Sequence, residues 1–136
     1  MPDQTVSALA RARIQQANEC LYSAERELES KGLKTAANRS YYCIFHAMRA
    51  VLALDKFDSK KHSGVIAAFR QKYIKNGLFP VELSDIIGIA FKIRNDSDYE
   101  DFYVISKDDV ALQIANAKIF LAAVESYISD KLVLES

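Results

Sequence analysis

Lys34–Leu54, KTAANRSYYCIFHAMRAVLAL, is the stretch whose reading decides the fold. Ala37, Tyr41, Ile44, Phe45, Met48, Val51 and Leu52 recur at three- and four-residue steps, which sets them on one side of an α-helix. Arg39, Tyr42, His46 and Arg49 recur at the same steps and share a second face. One helix therefore carries both a packing surface and a basic, aromatic stripe. Such a stripe can bind phosphate and stack a base. His46 taken alone would more often be a packing residue.

The pattern extends in both directions. Upstream, Val6, Leu9, Ala10, Ile14, Ala17, Leu21, Ala24 and Leu28 mark a helix from about Thr5 to Ser30, and Lys31-Gly32 breaks it, glycine being the usual residue past a helix end. Downstream, a polar connector (Asp55 to Lys61) leads to a shorter helix through Val65, Ile66, Phe69 and Tyr73, closed by Asn76-Gly77. Pro80 opens a fourth helix, where a missing backbone N–H costs little, and that helix ends near Asp96 to Asp98. Phe102 to Ile105 form a short connection without an obvious partner strand. Ser106-Lys107-Asp108-Asp109 resembles a capping box with Asp in place of Glu. Val110, Ile114, Ala117, Leu121, Val124, Ile128 and Leu132 then keep helical register. Long helices with short connections predict an all-α, up-and-down antiparallel four-helix bundle with an additional short helix, one domain over residues 1–136.

Bulk properties agree with this. The 136 residues suffice for one domain with a real core, and the four glycines and two prolines suit helices better than a turn-rich sandwich. Cys20 and Cys43 stand far apart without a CxxC pair, and Met1-Pro2-Asp3-Gln4 has neither a basic nor an apolar leader region, so a cytoplasmic setting is expected. No apolar run approaches a membrane span. No P-loop, zinc spacing or Ser-His-Asp set is legible. The acids Asp96, Asp98, Glu100 and Asp101 lack the glycine of a calcium loop, so neither metal nor cofactor is expected.

The zero net charge conceals a segregation. Residues 31–75 hold ten bases against two acids, a net of +8, whereas residues 82–109 hold eight acids against three bases, a net of −5. Two arrangements satisfy this: a dipolar surface that draws a polyanion to one side, or segments that neutralise one another across an interface.

Arg94-Asn95-Asp96-Ser97-Asp98-Tyr99 ends the fourth helix with a guanidinium, an amide and a phenol. Arg94 can pair with Asp98 one turn on, or point into a groove where Asn95 orients it and Tyr99 supplies a hydroxyl. Lys60-Lys61-His62-Ser63-Gly64 opens the third helix. Lys61 and His62 there either meet an anion or simply belong to a basic loop.

Taken together, Ala37 to Ala47, His62-Ser63-Gly64-Val65 and Arg94 to Tyr99 resemble a HEPN domain, with similarity from about Ala17 through Leu132. They are most similar to small prokaryotic HEPN proteins that often accompany a minimal nucleotidyltransferase in toxin–antitoxin pairs. The resemblance implies a helical bundle, a homodimer, and an arginine–polar–histidine motif in a cleft between subunits. In active relatives that motif implies metal-independent RNA cleavage: the ribose 2′-OH attacks the adjacent phosphate, the arginine steadies negative charge and the histidine assists proton transfer. Arg94 and Asn95 match its first two elements, and Tyr99 stands where a histidine is expected, as no histidine follows Arg94. A phenol titrates near 10 and an imidazole near about 6.5, so the exchange is not neutral. Some relatives are silenced when a partner transfers AMP to a tyrosine near the motif, which makes Tyr99 or Tyr103 a candidate acceptor. The expected site is thus Arg94, Asn95 and Tyr99 for catalysis, with Arg39, Tyr42, His46, Arg49, Lys61 and His62 binding RNA or nucleotide. The competing expectation is a non-catalytic helical module that docks the nucleotidyltransferase.

Overall fold

The computed structural model describes residues 4–99 and 103–135, without the side chains of residues 133–135. Glu100, Asp101 and Phe102, at the start of the expected connection, lie outside the described residues, as do Met1 to Asp3. The helices are α1 (Gln4–Glu29), α2 (Leu33–Ala53), α3 (His62–Phe69), α4 (Val81–Tyr99) and α5 (Lys107–Glu135), with a π-helical turn, Arg70–Ile74, continuing α3. There is no strand among the described residues, and Tyr103 to Ser106 carry no regular structure. No described helix is long and apolar enough to cross a membrane.

Local chemistry sets the helix ends. The Asp109 N–H donates to Ser106 Oγ at 3.0 Å, the forward half of the expected box. The α1 terminus differs from expectation. Gly32 N–H reaches Glu27 O (2.8 Å) and Lys31 N–H reaches Leu28 O (3.2 Å), a Schellman closure whose left-handed residue is Lys31 at φ 69, not the glycine. Gly32 instead opens α2. Gly77 does hold a left-handed φ of 77 where the π-helical turn ends, as Asn76-Gly77 suggested.

Helix α2 is the centre of the bundle and packs against α1, α3, α4 and α5. Its small residues Ala36, Ala37, Ala47 and Ala50 are fully buried, as are Ala10, Ala17 and Ala24 of α1, so these two helices approach closely. The end of α1 (Ala24) meets the start of α2 (Ala36, Ala37), and the start of α5 (Val110, Ile114) joins them. The end of α4 arrives at the same level, since Ile93 packs on that cluster. Successive long helices therefore alternate in direction, the up-and-down order the sequence predicts. A larger cluster at the other end stacks Phe69, Tyr73 and Phe79 on Phe120 and Tyr127. Full burial of one such ring contributes roughly 1.5–3 kcal/mol, so this end is a major source of stability. Tyr73 also donates its hydroxyl to Asp55 at 2.6 Å, and Arg70 donates to Ser84 Oγ and Ser84 O at 3.0 Å each, tying the insert to α2 and α4.

Candidate functional site

The basic stripe of α2 lies where α1, α3 and α4 come together. After α2 the chain turns at Lys56, which has a left-handed φ of 58, and doubles back so that α3 begins beside the first half of α2. Ser59 braces that return: its hydroxyl accepts from Lys61 N–H (3.2 Å) and donates to Lys61 O (3.3 Å). A Cβ on Gly64 would lie 2.4 Å from the Ser59 hydroxyl, so any larger residue there would displace the Ser59 brace. The consequence is the position of His62. Its ring stacks on Phe45 at 4.1 Å between centroids, and its Nδ1 is 2.8 Å from the hydroxyl of fully buried Tyr41.

Arg94 reaches the same place from α4. Its guanidinium lies over the rings of Tyr41 (5.3 Å) and Tyr42 (5.7 Å) and contacts the Tyr42 hydroxyl at 3.5 Å. The side chain is 18% exposed and stands 3.5 Å from Asp98, so the pairing one turn on that the sequence suggested is present, while neither Asn95 nor Tyr99 joins it. Arg39 lies over the Tyr42 ring at 5.2 Å and donates to Asn38 Oδ1. Two guanidinium groups thus share one phenol ring, an arrangement favoured by the ring quadrupole.

Arg13 of α1 completes the cluster, and sequence reasoning missed it. It occupies the seat between Ala10 and Ala17 in the stripe Val6, Ala10, Arg13, Ala17, Cys20, Ala24, and is 6% exposed. Its guanidinium donates to Arg49 O at 3.1 Å and to Asp58 Oδ2 at 3.3 Å, and Arg49 contacts the same Asp58 oxygen at 3.5 Å. The legible signal was an arginine in register within an apolar heptad.

Four arginines therefore converge, with Asp58 and Asp98 as their ion-pair partners among the described residues. The field is visible in the histidines. Burial, then Arg49, Arg39 and Arg13, pushes His46 down to about 4. Burial, then Arg94 and Arg49, lowers His62 as well. Burial raises the Tyr41 phenol against the pull of Arg94, so it stays protonated. Three nitrogens of the cluster, His46 Nδ1, Arg49 Nε and Arg94 Nε, are buried without a hydrogen-bond partner. Arg94 Nε still faces Asp98 Oδ2 at 3.5 Å, so the unpaired guanidinium donor is Arg49 Nε, at a cost of about 1–3 kcal/mol.

The remaining expected residues lie elsewhere. Asn95 is half-buried beside Arg94 and makes no side-chain hydrogen bond among the described residues. Tyr99, the last residue of α4, is 73% exposed and has no ring contact or hydrogen bond among them. Tyr103 is half-buried against the cluster of Ile105, Val110 and Ile114. Lys61 is exposed at the N-cap of α3, without a side-chain capping bond.

The profile of the HEPN domain matches residues 10–127. The chain belongs to the HEPN family. Among similar proteins, a Thermotoga maritima protein named UPF0332 is 35% identical over 114 residues, covering 84% of this chain and 86% of that one. A Methanocaldococcus jannaschii protein named a putative toxin is 30% identical over 122 residues, 90% of this chain and 83% of its own. A second M. jannaschii protein, also named a putative toxin, is 34% identical over 88 residues, 65% of this chain and 66% of its own. In this HEPN protein Arg94 sits inside the cationic cluster and Tyr99 sits outside it.

Proposed function

We propose that this HEPN protein is the toxin-like member of a pair with a minimal nucleotidyltransferase, acts as a homodimer, and binds RNA through the cluster around Arg94. The names of its M. jannaschii relatives support the toxin-like part. The observation that carries the RNA reading is the convergence of Arg39, Arg49 and Arg94 on the Tyr41, Tyr42 and Phe45 rings, with Arg13 bonded to Arg49 O and Asp58 beside them and Arg49 Nε buried without a partner. Guanidinium groups match phosphate, and their planes can also stack on a base.

Binding is favoured over cleavage. RNA cleavage through the 2′-OH needs a group that exchanges protons near neutral pH. Here Tyr99 is exposed, and burial and nearby arginines lower both His46, to about 4, and His62, which makes each a weaker base than a free imidazole. The exposure of Tyr99 suits it instead as the AMP acceptor, with Tyr103 half-covered.

The test is an incubation of the purified protein with structured and unstructured RNA, following both retention and chain length. Retention without rapid cleavage is expected, and Arg94→Ala should weaken it about tenfold, the usual effect of losing a charge-assisted hydrogen bond. Retention that is unchanged in Arg94→Ala would remove the cluster from the function.

A further inference from the structure

The ring of His62 is held by three aromatic neighbours of α2. Phe45 covers its face at 4.1 Å, Tyr42 meets it edge-on at 5.7 Å, and Tyr41 Oη holds Nδ1 at 2.8 Å. Tyr41 is fully buried, and its hydroxyl has no other hydrogen-bond partner among the described residues. A buried O–H must donate somewhere, so its proton goes to His62 Nδ1. In a neutral imidazole, a nitrogen that accepts leaves the other to carry the proton. Nε2 is therefore an N–H donor, and it makes no hydrogen bond within the described protein.

We infer that Tyr41 locks His62 as the Nε2–H tautomer, and that this N–H donates to the phosphodiester oxygen that Arg94 and Arg49 attract. The inference rests on the RNA reading above and assigns a role within it. A phosphate oxygen accepts only, so a ring nitrogen fixed as donor is matched to it, whereas a ring nitrogen fixed as acceptor would repel it. The same lock denies the site a free imidazole lone pair facing the RNA. His62 in this state positions the phosphate and does not abstract the 2′-OH proton. Here the imidazole comes from the start of α3 and the arginine from α4.

Two measurements decide this. The first is a ¹⁵N–¹H multiple-bond correlation spectrum of the histidine rings in the wild-type protein at neutral pH, with His46→Gln used to assign the two rings. A protonated-type shift at Nε2 and an unprotonated-type shift at Nδ1 of His62 are expected, and Tyr41→Phe should release a mixture of tautomers. The reverse pattern in the wild type overturns the inference, and it needs no variant that might unfold. The second is binding of a short single-stranded oligouridylate by fluorescence anisotropy. His62→Gln places an amide N–H near the Nε2 position and should bind within about threefold of wild type. His62→Asn and His62→Ala should lose about tenfold, as for any hydrogen bond to a charged acceptor. Equal binding by all three variants, with Arg94→Ala still impaired, overturns the role of His62 and leaves the RNA reading standing. Binding that ignores Arg94→Ala and Arg49→Ala as well overturns that reading, and the inference with it.

Discussion

Arg13→Met separates function from folding in this protein. The wild-type guanidinium is 7% exposed at its side chain, within a stripe of alanines, and donates to Arg49 O and Asp58 Oδ2. Losing hydrogen bonds from a charged donor costs about 1.5–3 kcal/mol. The Asp58 share is at the low end, because that carboxylate is 55% exposed and water replaces its partner. Against this, a buried methionine side chain contributes about 1.5–3 kcal/mol, and the desolvation of the guanidinium disappears. The two sides cancel to within about 1 kcal/mol. RNA binding has no such compensation. Arg49 is left to Asp58 alone, and losing one cation from the cluster costs on the order of 1 kcal/mol after screening, or about fivefold in affinity. Thermal unfolding and RNA anisotropy on the same preparation read both effects. A drop of more than about 3 kcal/mol in stability with RNA affinity intact would falsify the reasoning, because Arg13 would then be a structural tie only.

Further expectations follow from the helix ends, the buried histidine and the exposed tyrosine. Lys31→Gly should stabilise by roughly 0.5–1 kcal/mol, since Lys31 holds a φ of 69 that costs a side-chain-bearing residue about 1–2 kcal/mol, partly offset by the entropy of glycine. Gly77→Ala, at a φ of 77, should destabilise by about 1 kcal/mol, and denaturant midpoints check both. His46 lies at about 4 in the folded chain and near about 6.5 when unfolded, so the unfolded state takes up the proton first as pH falls. Its contribution is whole above about pH 6.5 and is lost progressively towards pH 4. In unfolding scans across that window His46→Gln should flatten the slope, and an unchanged slope would mean that His46 titrates normally. With a nucleotidyltransferase partner and ATP, intact-mass measurement should find AMP on the wild type and on Tyr103→Phe but not on Tyr99→Phe.

Much of the bundle was legible because α2 and α5 repeat their apolar residues at helical spacing over many turns. Even the connection before α5 announced itself through Ser106. Lys31 was not legible, since the backbone closes α1 by a pair of carbonyl bonds and places the left-handed residue one position before the glycine. On α2, Arg39, Tyr42, His46 and Arg49 could be grouped by spacing alone. Their meeting with His62 and Arg94 depends on the chain turning back at Lys56, which no local pattern encodes. Arg13 is hidden in the sequence because Leu9 and Ile14 offer a more apolar line along α1. Leu9 is in fact 42% exposed, and the buried line runs through the arginine instead. Tyr99 shows the converse: its spacing from Arg94 suggested a shared site, but five residues of helix carry it round to a different face.

The most direct test of the central claim, that the Arg94 cluster holds a phosphate, is the salt dependence of single-stranded RNA binding in the wild type and in Arg94→Ala. Each phosphate contact contributes about 0.7 to the slope of log affinity against log salt on a single strand. The slope should therefore become shallower by about that amount in the variant, together with a loss of about tenfold in affinity at low salt. Two parallel lines of equal height would mean that the guanidinium of Arg94 meets no phosphate, and would contradict the account.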